Sequence, residues 1–410
     1  MTRERLAIQS LGHDGDGIAE SAGARVFVPF TLPGETVEAE IEGERGRLIA
    51  VIAPAADRVT PACRHFGVCG GCSVQHLAAA SYRAWKRDLV VKAFEQRGIA
   101  ADIEDLVPIQ PATRRRAVFT IERLPDGTAI GFNRKESHDV LAIEECPLLV
   151  PAIAARLPRL AALARLVLGR GRRGRMSVTA TDTGLDIAVD GVPMPGRALY
   201  DALGRDVAEG WLARLTVDGV EIAISRQPEL RLGNTVLYPA AGGFLQATAP
   251  SEAALGALVE ASIGTQGPAA DLFAGIGTFS LRLARRFPVL AVEGEAALLK
   301  ALDRAMRFSK GIRSITTRRR DLFLNPMAPP ELKPFKAVLF DPPRAGAKAQ
   351  SEMLARSCVP TVVAVSCNPA TLARDARILI DGGYRLTRVT PVDQFLWSAH
   401  VEIVAAFEKR

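Results

Sequence analysis

The stretch Ala-Val-Ser-Cys-Asn-Pro-Ala-Thr at residues 364–371 brings a thiol to a point where a strand gives way to a helix. Residues 361–365 are β-branched and apolar, and residues 369–380 begin with proline and carry helix formers in a helical rhythm. Cys367 is therefore expected at the carboxyl edge of a parallel sheet, where open α/β sheets bind ligands. The adjacent helix N-terminus favours a nucleophilic thiolate. A buried structural cysteine is the alternative interpretation.

Three further groups are expected at the same sheet edge. The segment 271–277, Asp-Leu-Phe-Ala-Gly-Ile-Gly, ends a strand and opens a helix, and its glycines allow close backbone approach to a ligand. Glu293 closes the next strand, where a carboxylate can accept both ribose hydroxyls of a nucleoside. Asp341 follows a later strand in Asp-Pro-Pro-Arg. No third glycine completes a dinucleotide fingerprint, so a cofactor with one adenosine, such as S-adenosylmethionine, fits better than NAD.

The last strand is predicted near residues 401–407, and Glu402 lies at its start. A carboxylate there can act as a general base, whereas a surface carboxylate at a strand end is the alternative. Because parallel strands deliver their carboxyl ends to one edge, topology alone predicts that Gly275, Glu293, Asp341 and Cys367 converge.

A second group of residues suited to chemistry is the cysteine cluster. Cys63, Cys69 and Cys72 form a C-x5-C-x2-C pattern with intervening glycines, and Cys146 supplies a fourth thiol. In a reducing compartment such spacing indicates metal chemistry rather than disulfides. Tetrahedral zinc and an iron–sulfur cluster both remain open, and three close ligands with one remote ligand favour a 4Fe–4S cluster.

The bulk composition limits the function classes. At 410 residues and 48% hydrophobic, the chain can bury a sizeable core divided among two to four domains. The net charge of +7 is a weak indication of a polyanionic partner. A charged N-terminus and the absence of a long apolar run predict a soluble, cytoplasmic protein that does not bind a membrane.

The elements that must position these groups suggest three domains. Residues 1–58 alternate in short strands and turns, which predicts an OB-like β-barrel that binds nucleic acid or serves as a docking module. Residues 59–240 read as a mixed α+β domain, and residues 241–410 alternate strands with helices as in a doubly wound sheet.

Two basic segments of the middle domain have opposing interpretations. Residues 78–98 predict an amphipathic helix with Tyr82 and Trp85 on its apolar side and Lys86 on another, which favours core packing. The strand predicted at 113–121 carries three arginines, Arg114 to Arg116, which either track a phosphate backbone or form a solvated face.

These motifs together resemble the RNA 5-methyluridine methyltransferase family nearly from end to end. The segments 11–17 and 32–35 resemble its TRAM module, and Cys63, Cys69, Cys72 and Cys146 match its iron–sulfur ligands. The resemblance implies an OB-like TRAM barrel, a central iron–sulfur domain that binds RNA, and a Rossmann-like methyltransferase domain.

The resemblance also implies a mechanism and a cofactor site. Cys367 would add to C6 of uracil, C5 would attack the methyl group of S-adenosylmethionine, and Glu402 would remove the C5 proton. By motif, the cofactor site would be lined by Gln246, Phe273, Thr278, Glu293, Asp321 and Asp341. Many members carry Asn where this chain has Thr278.

The expected partner is RNA. A TRAM module together with cluster cysteines resembles the branch acting on 23S ribosomal RNA, and a monomer is expected. The alternatives are a methyltransferase of the tRNA T-loop and a catalytically inactive iron–sulfur protein that binds RNA.

Overall fold

The computed structural model describes residues 2–125, 127–169, 172–232 and 235–409. Along the sequence these residues form a six-stranded sheet, a seven-stranded sheet, a two-stranded hairpin and a second seven-stranded sheet. Within the described residues, every helix is too short or too polar to cross a membrane.

The first sheet consists of short strands that bury alternate residues. Its strands are β1 (Thr2–Ala7), β2 (Ser10–Leu11), β3 (Gly17–Ser21), β4 (Ala24–Val28), β5 (Thr36–Glu42) and β6 (Arg45–Ala53). They pair in the order β1-β5-β6-β4-β3-β2. Residues 8 and 9 alone separate β1 from β2, which lie at opposite ends of this order, so the sheet must curl to bring its two edge strands near each other. An all-β module thus occupies the region where one was predicted.

The second sheet follows the long helix α1 (Ala79–Glu95), which confirms the helix predicted over 78–98. Its strands pair in the order β13-β12-β11-β10-β7-β8-β9, and all pairs are antiparallel except β11 with β12. The strands are β7 (Arg116–Leu124), β8 (Gly127–Asn133), β9 (Val140–Ala142), β10 (Arg173–Thr181), β11 (Gly184–Asp190), β12 (Leu212–Val217) and β13 (Val220–Ile224).

Three helices cover the second sheet: α2 (Pro151–Ala154), α3 (Leu157–Leu168) and α4 (Arg197–Ala208). The apolar face of α3, with Leu160, Leu163 and Val167 buried, packs into the core that the sheet provides. Helices α2 and α3 are separate, and Pro158 lies in the first turn of α3, where the missing N–H of proline leaves no helical hydrogen bond unmade.

The hairpin of β14 (Leu230–Leu232) and β15 (Thr235–Leu237) leads into the third large sheet. Its strands are β16 (Ala269–Leu272), β17 (Val289–Glu293), β18 (Ile315–Arg319), β19 (Ala337–Phe340), β20 (Thr361–Ser366), β21 (Tyr384–Val392) and β22 (Glu402–Lys409). The intervening helices are α5 (Ala249–Ile263), α6 (Ser280–Leu283), α7 (Ala296–Phe308), α8 (Pro329–Leu332), α9 (Lys348–Ala355) and α10 (Pro369–Asp381).

The order of this sheet is β18-β17-β16-β19-β20-β22-β21. The five strands from β18 to β20 are parallel, and β22 is antiparallel to both of its neighbours. The chain passes from β16 outward to β18 and then returns to β19, so the order reverses beside β16, where doubly wound sheets bind ligands. Because β22 runs in the opposite direction, it begins at the edge where the parallel strands end.

Two apolar cores lie on the two faces of this sheet. One contains residues of α5, α6 and α7. The other contains residues of α9 and α10 together with Val90, Ala93 and Phe94 of α1. Helix α1 precedes the second sheet in sequence but packs on the third, so close packing crosses the boundary predicted at residue 240, and the division at 58 and 240 stays a prediction.

Candidate active site

The thiol of Cys367 and the carboxyl of Glu402 lie at the same edge of the third sheet. Ser366, the last residue of β20, pairs with Ile403 of β22. Cys367 follows Ser366, and Glu402 precedes Ile403 on the antiparallel strand, so the two side chains are carried on neighbouring strands. The topology therefore brings a nucleophile and a carboxyl group together from residues 35 positions apart (402 − 367).

The surroundings of Cys367 keep its thiol protonated. Burial raises the pKa of Cys367 to about 11, Glu402 and Asp341 add to the increase, and the positive charge of Arg344 opposes it. The first backbone N–H groups of α10, those of Ala370 and Thr371, already donate hydrogen bonds to Asn368 Oδ1. They are therefore not directed at the thiol. The expectation of a thiolate stabilised by the helix N-terminus is therefore wrong for the structure without substrate.

Glu402 is a buried group, with 4% of its surface exposed, so the alternative of a solvated carboxylate at a strand end is excluded. Its Oε1 accepts a hydrogen bond of 3.0 Å from Gln394 Nε2. Burial and the neighbouring Asp341 raise the pKa of Glu402 to about 8. A carboxyl group with a pKa near neutrality suits proton transfer at physiological pH.

A chain of side-chain hydrogen bonds connects Glu402 to Asp341 across the site. Gln394 Nε2 also donates to Gln246 Oε1 at 2.8 Å, and Gln246 Nε2 donates to Asp341 Oδ2 at 3.3 Å. Desolvation raises the pKa of Asp341 to about 7. The side-chain amides of Gln394 and Gln246 therefore lie between the carboxyl groups of Glu402 and Asp341 and link them through hydrogen bonds.

The glycine-containing loop after β16 lies beside the end of β17. Gly275 N donates to Glu293 Oε2 at 2.9 Å, and the other carboxylate oxygen of Glu293 accepts from Glu295 N at 2.9 Å. Each oxygen keeps a free lone-pair site, as binding of vicinal hydroxyl groups requires. Phe273, with a φ of 61°, adopts a left-handed conformation in this loop, which is uncommon for a bulky side chain and concentrates at functional sites.

Gly277 is required in this loop by both backbone angle and space. Its φ is 88°, and a Cβ there would lie 2.3 Å from Leu302 Cδ1 of α7. We expect Gly277→Ala to lower the free energy of unfolding by about 2–4 kcal/mol in urea titrations.

Gly275→Ala is the matched control, because Gly275 also has a positive φ but no heavy atom lies within 4 Å of its added Cβ. We expect this variant to lose only about 1 kcal/mol. Equal losses for the two variants would show that backbone strain alone, and not contact with Leu302, explains the glycine.

Asp321 follows β18 and lies near the same loop. Its Oδ1 accepts from Phe323 N at 2.9 Å and Leu324 N at 3.3 Å, which leaves Oδ2 without a partner in these contacts. The ring of Phe323 contacts that of Phe273 at a centroid distance of 5.3 Å. Thr278 is 9% exposed and lies two residues before α6, in the turn that leads into this helix. The side chains predicted to line a cofactor site thus occupy one end of the sheet.

Two buried polar side chains near the site were not recognised from the sequence. Gln394, which joins Gln246 to Glu402, lies in the loop before β22, where no recognised motif occurs. Lys86 is predicted away from the apolar side of its helix, but its side chain is fully buried and its ammonium lies 3.0 Å from Asp393 Oδ1. The one available sequence signal for Lys86 was its position beside the apolar side of the helix. Local periodicity cannot reveal that its acidic partner lies about 300 residues away in the sequence.

The cysteine segments approach each other through paired charges. Arg64 Nη1 donates to Glu144 Oε2 at 2.8 Å, and the Arg64 amide donates to Glu145 Oε1 at 3.2 Å, which brings the Cys146 segment beside that of Cys63. Burial raises the pKa of Cys72 to about 12, and the other three cysteines of the cluster add to it.

These four thiols are neighbours without forming a coordination cage. Within the described ranges, no group of three or more His, Cys, Asp or Glu side chains is arranged to hold a metal ion. The donor set itself, four thiols on two segments pinned together, has the composition that soft metals and iron–sulfur clusters prefer.

The three consecutive arginines of the middle domain have internal partners. Arg115 is buried and pairs with Glu252 at 2.6 Å, and its Nε donates to the carbonyl of Gln246 at 3.2 Å. Arg114 and Arg116 are partly buried and donate to backbone carbonyls. Both interpretations of this segment, contact with a phosphate backbone and a solvated face, are therefore wrong for Arg115. Its side chain instead stabilises the segment that carries Gln246.

Comparison with known proteins gives matches over the whole chain. The chain is 48% identical over 405 residues to a protein of Mesorhizobium japonicum named an RNA methyltransferase, covering 99% of this chain and 98% of that protein. It is 32% identical to the 23S rRNA (uracil(1939)-C(5))-methyltransferase RlmD of Halomonas elongata, covering 99% of this chain and 89% of that protein.

A family model and a solved structure agree with these matches. The family model described as tRNA (Uracil-5-)-methyltransferase matches residues 318–410. The crystal structure of Pyrococcus abyssi tRNA (uracil-54, C5)-methyltransferase with S-adenosyl-L-homocysteine superposes with a TM-score of 0.74 at 21% identity, covering 98% of this chain and all of that one. The mixed α/β fold is thus shared over nearly the full length.

Proposed function

The chain belongs to the family of S-adenosylmethionine-dependent RNA (uracil-5) methyltransferases, and from that premise we propose that it methylates C5 of a uracil in 23S ribosomal RNA. The observation that carries the proposal is the placement of Cys367 and Glu402 on adjacent strands of one sheet edge. Methylation at C5 requires a nucleophile that adds to C6 and a base that removes the hydrogen from C5. Because C5 and C6 are neighbouring atoms of the uracil ring, the two protein groups must also lie close together.

The proposed reaction begins with Cys367. Its proton passes to water, since the side chain is only partly buried, and the thiolate adds to C6 so that electron density develops at C5. S-adenosylmethionine supplies an electrophilic methyl group, so that the C5–CH3 bond forms as its sulfur–methyl bond breaks. Glu402 then takes the C5 proton, the C6–S bond breaks, and Cys367 is released with methylated RNA. The base must leave its stack to reach the thiol.

The remaining predicted residues are assigned to the cofactor and to orientation. We propose that Glu293 accepts the ribose hydroxyls of S-adenosylmethionine and that Phe273, Thr278 and Asp321 surround the adenosine. Gln246 and Asp341 are assigned to the boundary between cofactor and uracil, since their 3.3 Å hydrogen bond lies beside Glu402 and Cys367.

Ribosomal RNA is proposed as substrate because the relative named for 23S rRNA is 32% identical and its match covers 99% of this chain, a span that includes the N-terminal β-module and the segments that carry the cysteines. Transfer RNA is the second candidate, since the family model that matches the last 93 residues is named for it (410 − 318 + 1). We further propose that residues 1–58 form a TRAM barrel, that residues 59–240 bind RNA, and that the enzyme acts as a monomer.

The test is mass-spectrometric mapping of 5-methyluridine in RNA from a deletion strain. We expect one site in 23S rRNA to lose its methyl group and to regain it on complementation, while tRNA position 54 is unchanged. Loss at tRNA position 54 instead would reject the rRNA substrate and favour the second candidate.

The pH dependence of kcat/KM follows from the two raised pKa values. Glu402 must be ionised to accept a proton, so activity should fall below its pKa of about 8. Cys367 must also lose its proton, and its pKa is about 11. We therefore expect log kcat/KM to rise with a slope near two below about pH 8 and a slope near one above it. A flat profile between about pH 6 and pH 9 would contradict these assignments.

We propose that Cys63, Cys69, Cys72 and Cys146 hold a 4Fe–4S cluster that shapes the surrounding domain. The proposal is supported by the docking of the two cysteine segments through Arg64. We expect anaerobically purified protein to contain iron and acid-labile sulfide in equal amounts, and Cys146→Ser to lose both. If the purified protein contained zinc in stoichiometric amount and no sulfide, the proposal of an iron–sulfur cluster would be wrong and a zinc site would be assigned instead.

A further inference from the structure

The ammonium of Lys86 on α1 has three oxygen partners, although no part of its side chain is exposed. Its Nζ lies 3.0 Å from Asp393 Oδ1 and donates to the carbonyl of Phe395 at 3.2 Å and to the carbonyl of His400. One ion pair and two hydrogen bonds thus hold the ammonium, and all three oxygen atoms belong to the loop between β21 and β22. A charge this deeply buried is retained only where its partners are fixed.

The same helix holds the loop at a second point. Tyr82 Oη donates to Asp393 Oδ1 at 2.8 Å and accepts from Trp397 N at 2.9 Å. Trp397 has a φ of 60°, a left-handed conformation that a tryptophan adopts only when its surroundings impose it. Thus α1 fixes the beginning, the middle and the end of the loop.

The loop carries the groups that flank the candidate base. Gln394 follows Asp393 directly, and Glu402 lies two residues after His400. Gln394 Oε1 accepts from Ser251 Oγ at 2.6 Å, and its Nε2 donates to Glu402 Oε1 at 3.0 Å. Any displacement of the loop ends would therefore change the position of the proton acceptor relative to Cys367.

We propose that Lys86 is a positioning residue for the methyl transfer: its ammonium fixes the loop between β21 and β22, and that loop aligns Gln394 and Glu402 with Cys367. This inference rests on the proposed function and adds a residue from the N-terminal part of the chain to it.

The charges around Glu402 determine the direction of the effect. Asp341, from the loop after β19, raises its pKa, and Lys86, from α1, lowers it. Cys367 after β20 is neutral at physiological pH, and Asp393 partly offsets the charge of Lys86. Removal of the ammonium should therefore raise the pKa of Glu402, and removal of the Asp393 charge should lower it.

The experiment measures pH profiles and covalent intermediates for Lys86→Met. We expect the lower inflection of log kcat/KM to move upward by on the order of one pH unit. We also expect denaturation-resistant enzyme–RNA adduct to accumulate, because slow proton removal leaves Cys367 attached to methylated uracil. Arg87→Met is the matched control, since Arg87 lies on the same helix but, among the residues described, donates to the carbonyl of Ile103 and not to the loop between β21 and β22. The pH profile of this variant should not move.

Asp393→Asn provides a second variant that keeps the shape of the site. It should shift the lower inflection downward, opposite to Lys86→Met, so the proposal remains testable if Lys86→Met does not fold. Unshifted inflections in a folded variant, or turnover and adduct that fall together, would overturn the positioning role. Wild-type protein that forms no 5-methyluridine with any RNA would reject the proposed function itself, which is a separate outcome.

Discussion

Cys367→Ala is expected to lose about 10⁴-fold or more in turnover and to form no covalent complex with RNA. No other thiol lies at this sheet edge among the described residues, and without addition at C6 the C5 carbon of uracil does not attack a methyl group. Turnover should be measured by transfer of radiolabelled methyl groups, and the adduct by denaturing electrophoresis.

Cys358→Ala is the matched control for this variant. Cys358 is exposed and precedes β20 at the opposite end of the strand. Its removal should leave both measurements unchanged. If Cys367→Ala retained more than about a tenth of wild-type turnover, nucleophilic catalysis by Cys367 would be rejected.

Glu402→Gln is expected to behave differently from Cys367→Ala. The thiol can still add and C5 can still be methylated, but removal of the C5 proton is lost, so turnover should fall by about 10²–10⁴-fold. Methylated RNA should then remain attached to Cys367, and mass spectrometry of the trapped peptide should find the added methyl group. Glu408→Gln on the same strand is the control, because Glu408 is exposed and pairs with Arg385. An absence of adduct would assign proton removal to another group.

The same substitution has a predicted effect on stability. Folded protein holds the Glu402 proton up to about pH 8, whereas the unfolded chain releases it near the ordinary value of 4.5. Between these values the folded state binds more protons, so the contribution of Glu402 to stability declines as pH rises. Glu402→Gln removes this term, and its free energy of unfolding should depend less on pH over that interval.

The sequence predicted the positions of the reactive groups well where those positions follow from strand order. Glu293 ends a parallel strand, and Asp341 and Cys367 each follow one directly. Gly275 lies three residues after the end of β16, so the common edge of all four follows from alternating strands and helices. Glu402 joins them because β22 is antiparallel, which motif spacing does not specify.

The chemical state of the site could not be predicted from sequence. The helix beginning at Pro369 indicated a stabilised thiolate, but burial and two nearby carboxyl groups outweigh the helix N-terminus, and both effects depend on packing. Arg115 and Lys86 looked like surface cations, although each is buried against an acidic partner more than 130 residues away in sequence. Pairings at that separation leave no local periodic signal.

The packing of α1 on the third sheet determines where the chain can be cut. A fragment beginning at residue 241 would expose the apolar surface that Val90, Ala93 and Phe94 cover. It would also leave the loop between β21 and β22 without its anchor in Lys86. An autonomous catalytic fragment must therefore begin before residue 79, and limited proteolysis should leave α1 associated with the C-terminal half.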